Sequence, residues 1–217
     1  MNVNQDFVIT ISRELGSGGR TVGRKLAAEL DVRYSDKELV NQLEDQFKLT
    51  SSGIEQLKGK KKNWMADFIQ LVAPVPKVKM LVDTDSKYIQ EFRPDLTTDD
   101  LYKAESEILQ GIAAEGSCVI AGRSGFFILR DHPNKVDIFI TASIEHRIQR
   151  VMRKQQLSRE EAEAAIKRVD EMRDNYIKRY TGKSRYDLRN YDLTISMDEL
   201  SEDDAVKLIL KFIKYTK

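Results

Sequence analysis

Short β-branched runs alternate along this chain with longer stretches whose apolar residues recur at helical spacing. Phe7-Val-Ile-Thr-Ile11, Cys118-Val-Ile-Ala121 and Val136-Asp-Ile-Phe-Ile140 have the pattern of strands buried on both faces. Asp31-Val-Arg-Tyr-Ser35 reads as a short strand, and Tyr191-Asp-Leu-Thr-Ile195 as a last one. Helical stripes fall between and after them: Val22, Leu26, Ala27 and Leu30, then Leu101, Ala104, Ile108, Ile112 and Ala113, then Ile144, Ile148, Val151 and Met152, and finally Val206, Leu210 and Ile213. Asp36 is a candidate N-cap for a helix through Glu38, Leu39 and Leu43. Thr97 or Thr98 and Ser201 are candidate caps for two others. Ser158 with Glu161 forms a capping box for a long helix striped by Ala162, Ala165, Ile166, Val169, Met172 and Tyr176. Strands alternating with helices predict an α/β fold, a mainly parallel sheet covered by helices on both faces.

The segment from about 50 to 95 breaks this alternation. It carries the basic run Lys58-Gly-Lys-Lys-Lys62, an apolar stripe from Trp64 to Val72, and then Pro74 and Pro76. It reads as a helical insertion or flap within a single domain spanning 1–217, with the stripe a candidate for core or for a homo-oligomer interface.

Bulk properties narrow the function classes. The chain has 217 residues, with 36 Lys+Arg against 35 Asp+Glu and a net charge of +1. That balance argues against a sequence-independent nucleic-acid binder. The polar start Met1–Asp6 reads against a secretory signal, and no apolar run reaches the roughly 18 residues of a membrane span. Cys118 is the only cysteine, so no internal disulfide and no cysteine-rich zinc site can form. His132 and His146 lack a second histidine at ligand spacing. These features point to the cytoplasm, with no membrane and no nucleic-acid partner.

The strongest chemical signal follows the first strand: Ser12-Arg-Glu-Leu-Gly-Ser-Gly-Gly-Arg-Thr21. In open α/β sheets ligands bind beyond the carboxyl ends of the strands, and a glycine turn opening a helix there offers amides to an anion. A dinucleotide fingerprint starting at Gly16 and Gly18 needs Gly or Ala where Thr21 stands, although Asp36 falls near the ribose-binding distance. A mononucleotide P-loop of the form ending G-x-G-K-G-T matches Gly16, Gly18 and Thr21. It has Arg13 in place of its first glycine, Gly19 in place of its lysine and Arg20 in place of the following glycine. Arg13 and Arg20 flank the missing lysine and can supply positive charge, and Thr21 keeps a hydroxyl where Mg²⁺ expects one.

Three segments together resemble the cytidylate kinase-like branch of the nucleoside monophosphate kinases. They are Ile9–Thr21, close to the signature S-R-E-x-G-S-G-G; Cys118-Val-Ile-Ala-Gly-Arg123 with Phe139–Ser143, Glu145, Arg147 and Arg150; and Leu193–Ser201. The resemblance implies a three-layer P-loop kinase core and an arginine-bearing lid at about 153–185. It also implies an ATP- and Mg²⁺-dependent phosphotransfer to a small nucleotide. On it, Gly16, Ser17, Gly18, Gly19, Arg20 and Thr21 surround the donor phosphates, with Thr21 on the metal. Asp36 and Arg123 face the acceptor. Arg13 or Arg20 replaces the lysine, and Arg150, Arg173 and Arg179 stabilise the transferring group, with Arg168 also in the lid region. Ser124 and Ser196 stand where the family has acidic residues. Together with Gly19 they keep open a non-catalytic nucleotide- or anion-binding protein with a degenerate P-loop.

Overall fold

The computed structural model describes residues 1–36 and 98–216. The helix expected after Asp36 and the 50–95 insertion, with its Lys58–Lys62 run and Trp64–Val72 stripe, lie outside the described residues. By its contacts the chain divides into two compact units, Met1–Leu39 with Ser106–Lys217, and Val40–Glu105. The sheet belongs to the first of them.

In chain order the described elements are β1 (Val8–Arg13), α1 (Gly19–Glu29), β2 (Arg33–Ser35), α2 (Thr98–Ala114), β3 (Cys118–Ala121), α3 (Gly125–Ile128), β4 (Lys135–Thr141), α4 (Ile144–Gln155), α5 (Arg159–Thr181), β5 (Leu193–Ser196) and α6 (Glu202–Tyr215). Each strand forecast from the apolar runs is present. The short helix α3 is an addition. The strands lie in the order β2-β3-β1-β4-β5, and every pairing is parallel. β1 is central and buried along its whole length, with Ile9 beside Val119 on one side and Val136 on the other. A strand covered on both faces needs a continuous apolar run, which is why Phe7–Ile11 does not alternate.

Ile9, Ile11, Ile138 and Ile140 of the sheet, Val22 and Leu26 of α1, and Val206 and Ile209 of α6 form one core. Each such side chain, fully buried, contributes about 1.5–3 kcal/mol. The helix ends follow the sequence signals. Ser158 Oγ accepts the Glu161 amide at 3.2 Å, and Glu161 Oε2 accepts the Ser158 amide at 2.8 Å. Ser201 caps α6 through the Asp204 amide at 3.1 Å. The expected stripe on α5 is buried at Ala162, Ala165, Ile166 and Val169, while Met172 and Tyr176 are only half-buried. Asp170 and Ile177 are buried there as well.

The strand order creates a switch point. From β1 the chain passes through α1 to β2 on one side of the sheet, and from β3 it passes through α3 to β4 on the other. Outgoing connections therefore diverge above the adjacent carboxyl ends of β1 and β3, which leaves a crevice there. The glycine turn after Arg13 and the Gly122–Ser124 turn are the two segments that border it.

Candidate active site

The turn after β1 depends on glycine for stated geometric reasons. Gly16 and Gly18 have φ of 83° and 89°, a region that residues with a Cβ avoid. A Cβ on Gly16 would also lie 2.7 Å from the Arg147 carbonyl oxygen. The outer side of the turn is tied to α4 and α5. The Leu15 amide donates to Asp170 Oδ1 at 3.1 Å, and Arg147 Nε donates to the Leu15 carbonyl at 2.8 Å. Ser17 is fully buried and its hydroxyl donates to the Glu14 carbonyl at 3.0 Å. Helix α1 then begins at Gly19, so its first amides have no acceptor one turn back and form the positive end of the helix dipole.

Five arginines converge around this turn, where they meet three carboxylates, Glu14, Asp36 and Asp170. Asp36 receives Arg13 at 3.4 Å and, on its other oxygen, Arg20. Asp170 receives Arg147, and it stands 3.7 Å from both Arg173 and Arg185. The Arg13 carbonyl oxygen accepts two further bonds, from Arg173 Nη1 at 3.0 Å and from Arg185 Nη2. Burial, reinforced by Arg13 and Arg185, pushes the Arg173 guanidinium well below its ordinary value, with Asp170 opposing. Burial lowers Arg13 too, with Asp36 opposing and Arg123 adding to the repulsion.

The arginines expected to stand in for the lysine do not lie over the glycine turn. Arg13 sends its stem across Gly19, where a Cβ would come within 2.6 Å of the Arg13 Cβ. Its guanidinium reaches Gly122, where a Cβ would meet Nη1 at 1.9 Å. Arg13 thus runs from the end of β1 to the end of β3, and Arg20 turns the same way toward Asp36. Arg150 does face the turn. Its Nη2 donates to Thr21 Oγ1 at 3.3 Å and pairs with Glu202 at 2.7 Å, beside Gly18.

Arg123 is half-buried and, like Ser124, adopts φ of 56° after Gly122 at 81°. Two non-glycine residues in the left-handed region together are costly, a strain typical of functional turns. The Ser124 hydroxyl is buried with no hydrogen-bond partner among the described residues. Ser196 is exposed and donates to Asp198 at 2.7 Å. Arg179 is exposed, its guanidinium 5.3 Å from the Tyr180 ring centre, and Arg168 is exposed as well.

The sequence model of the Cytidylate kinase-like family matches residues 8–199. The chain belongs to this family. It is 31% identical over 162 residues to a cytidylate kinase of Mycobacterium leprae, covering 67% of each chain. Among solved structures it resembles an uncharacterized protein from Eubacterium ventriosum, with TM-score 0.68, 24% identity, and coverage of 96% and 99% of the two chains. It also resembles the shikimate kinase of Bacteroides thetaiotaomicron, with TM-score 0.55, 14% identity, and coverage of 96% and 98%. The fold is that of the P-loop kinases. No helix among the described residues is long and apolar enough to cross a membrane.

Within this cytidylate kinase-like chain, the structure adds residues that sequence reasoning did not place in the site. Asp170 sits on the buried face of α5 beside Ile166 and Val169. An acid inside an apolar stripe is a readable signal, since a buried carboxylate needs cations around it. Arg147 is drawn in the same way, to Asp170 and to Glu14 at 3.0 Å. Arg185 follows α5 in the polar loop Gly182–Arg185 and is nevertheless only 2% exposed.

Proposed function

We propose that this protein is an ATP- and Mg²⁺-dependent phosphotransferase whose acceptor is a nucleoside monophosphate or a similarly small anionic molecule. One observation carries the reading: five arginines, of which Arg13, Arg147 and Arg185 are buried, gather at the switch-point crevice around three carboxylates, Glu14, Asp36 and Asp170. Arginine does not give up its proton, so burial and mutual repulsion leave the cluster with affinity for a multiply charged anion. A polyphosphate on a glycine turn at a helix N-terminus answers that demand.

In this reading Gly16, Ser17, Gly18, Gly19, Arg20 and Thr21 border the ATP phosphates through backbone amides. Thr21 would hold Mg²⁺ through its hydroxyl, an oxygen donor of the kind this ion takes. The ion supplies charge neutralisation at the transferring group. Arg150, already on the Thr21 hydroxyl, and Arg173, on the Arg13 carbonyl, orient phosphate oxygens. Arg13, Arg20, Asp36 and Arg123 border the acceptor side of the crevice. Phosphoryl transfer needs alignment and a positive clamp more than covalent help, which is what this arrangement offers. Arg179 lies outside the set. The cytoplasm is the compartment that fits such an activity.

A coupled assay of ATP with a panel of nucleoside monophosphates and small hydroxyl acceptors tests the proposal. Transfer to at least one acceptor is expected, with Arg173→Gln lowering kcat/KM about 100-fold or more. No transfer to any acceptor by the folded protein sinks it. Gly19 favours a second reading, nucleotide binding without transfer, because the Arg13 stem fills the volume a lysine would enter. That reading predicts a rise in Tm on adding ATP with no product formed.

A further inference from the structure

Arg147 and Arg185 are both buried arginines, and they differ in how their donors are met. Arg147 is 6% exposed and has all three nitrogens engaged: Nε with Leu15, Nη1 with Glu14 and Nη2 with Asp170. This is the pattern of a structural arginine. Arg185 is 2% exposed and donates from Nη2 alone, to the Arg13 carbonyl. Its Nε and Nη1 have no hydrogen-bond partner among the described residues. Nη1 is 3.7 Å from Asp170, an ion-pair distance without a hydrogen bond. Burying a guanidinium with two nitrogens unmet is costly unless something else meets them.

The backbone holds this side chain in place from both directions. The Arg185 amide donates to Asp174 at 3.4 Å, and Tyr191 Oη donates to the Arg185 carbonyl at 2.7 Å. The guanidinium lies 5.3 Å from the Tyr186 ring centre and 5.9 Å from that of Phe139. Its contact, the Arg13 carbonyl, belongs to the residue at the first-glycine position of the phosphate-binding motif. Arg185 therefore stands at the head of the turn that lacks its lysine, while Arg13 and Arg20 are committed to Asp36.

We propose that Arg185 is a phosphate-binding residue that supplies, from the loop after α5, the positive charge missing at Gly19, and that its ligand is the pyrophosphate portion of a nucleoside triphosphate. This rests on the phosphate-site reading above but not on phosphoryl transfer. A lysine at position 19 reaches phosphate from within the turn, whereas Arg185 reaches it from outside. Phosphate binding thereby depends on the loop after α5 being packed against β1.

Calorimetry on the full chain with a non-hydrolysable ATP analogue and with inorganic pyrophosphate tests this, with circular dichroism confirming the fold of each variant. Arg185→Met is expected to weaken both ligands about 10- to 100-fold, the scale of a charge-assisted hydrogen bond. Arg185→Lys is expected to retain most of the affinity. The triple variant Arg13→Gly/Gly19→Lys/Arg185→Met rebuilds the lysine in cleared space and is expected to regain at least tenfold over Arg185→Met. A folded Arg185→Met with unchanged affinity, or a folded triple variant with no recovery, overturns the assignment. If Arg185→Met does not fold, nitrogen-edited NMR of the unaltered chain decides. The Arg185 Nε–H resonance, assigned by its loss in Arg185→Lys, is expected to move on titration with pyrophosphate, and a fixed resonance overturns the proposal. Pyrophosphate binding through Arg185 with no transfer to any acceptor sinks the catalytic reading and leaves this one standing. A chain that binds neither ligand overturns both.

Discussion

Arg13 and Gly19 occupy one volume between them. The stem of Arg13 lies where a side chain at position 19 would begin, and Ile140 Cβ stands 3.2 Å from the same point. The loss of the motif's lysine and the gain of an arginine at its first glycine are thus two halves of one packing arrangement. Gly19→Lys alone is expected to lose about 1–3 kcal/mol through overpacking. Adding Arg13→Gly removes the clash, so the double variant should be more stable than the sum of the single changes by about 0.5–3 kcal/mol. Urea denaturation of the four proteins in this cycle measures the coupling, and strict additivity would show that the two side chains do not compete. The pattern of glycines was readable in the sequence. That Arg13 turns away from the turn toward Asp36 was not, because it depends on Gly122, more than a hundred positions later, leaving room for its guanidinium.

Helix α5 shows how one element serves both packing and the site. Its ends were written locally, in the Ser158/Glu161 box and in Gly182, which closes it in the left-handed conformation at φ 68°. Its middle carries Asp170, which binds the Leu15 amide, pairs with Arg147, and faces Arg173 and Arg185. Asp170→Asn leaves these cations without their shared charge, and such a loss at a buried ion pair costs about 3–5 kcal/mol. Ser158→Ala at the same helix's cap should cost only about 1 kcal/mol. Denaturant midpoints of the two variants test the contrast. Equal losses would mean that Asp170 acts only as a local helix residue. If the arginines are the source of the instability, added pyrophosphate should raise the Tm of Asp170→Asn more than that of the unaltered chain.

Across the whole molecule, stability should be broad in pH and fall at both extremes. Glu145, at the start of α4, is held down to about 2 by hydrogen bonds from Arg159 and then Gln149. Its folded value lies below the unfolded one of about 4.3, so its stabilisation is present above that pH and is lost as pH falls toward 2. The group is exposed, and solvent screening keeps this contribution small. At the alkaline end, burial raises the Cys118 thiol to about 11 and the Tyr34 hydroxyl to about 12. Raised values favour the protonated folded state. Their contribution is complete below the unfolded values of about 8.5 and 10, and is lost as pH climbs through 11 and 12. Denaturation midpoints across pH check this, and Cys118→Ala should flatten part of the alkaline slope. An unchanged slope would show that the thiol does not take part.

Apolar periodicity, glycine placement and capping pairs are local properties of a chain, so the strands, the principal helices and the glycine turn could all be read before any fold was known. The order β2-β3-β1-β4-β5 is not local, and it brings the ends of β1 and β3 together at one crevice. Nor can spacing along the chain say which cations share a carboxylate, since that depends on how far each side chain is buried and what else has been packed beside it. Arg179, expected among the lid arginines, ended in solvent, while Arg185, in the loop after α5, ended buried against the Arg13 carbonyl. Burial turns such a side chain from a solvated charge into one that needs a partner, and burial exists only once the chain has folded.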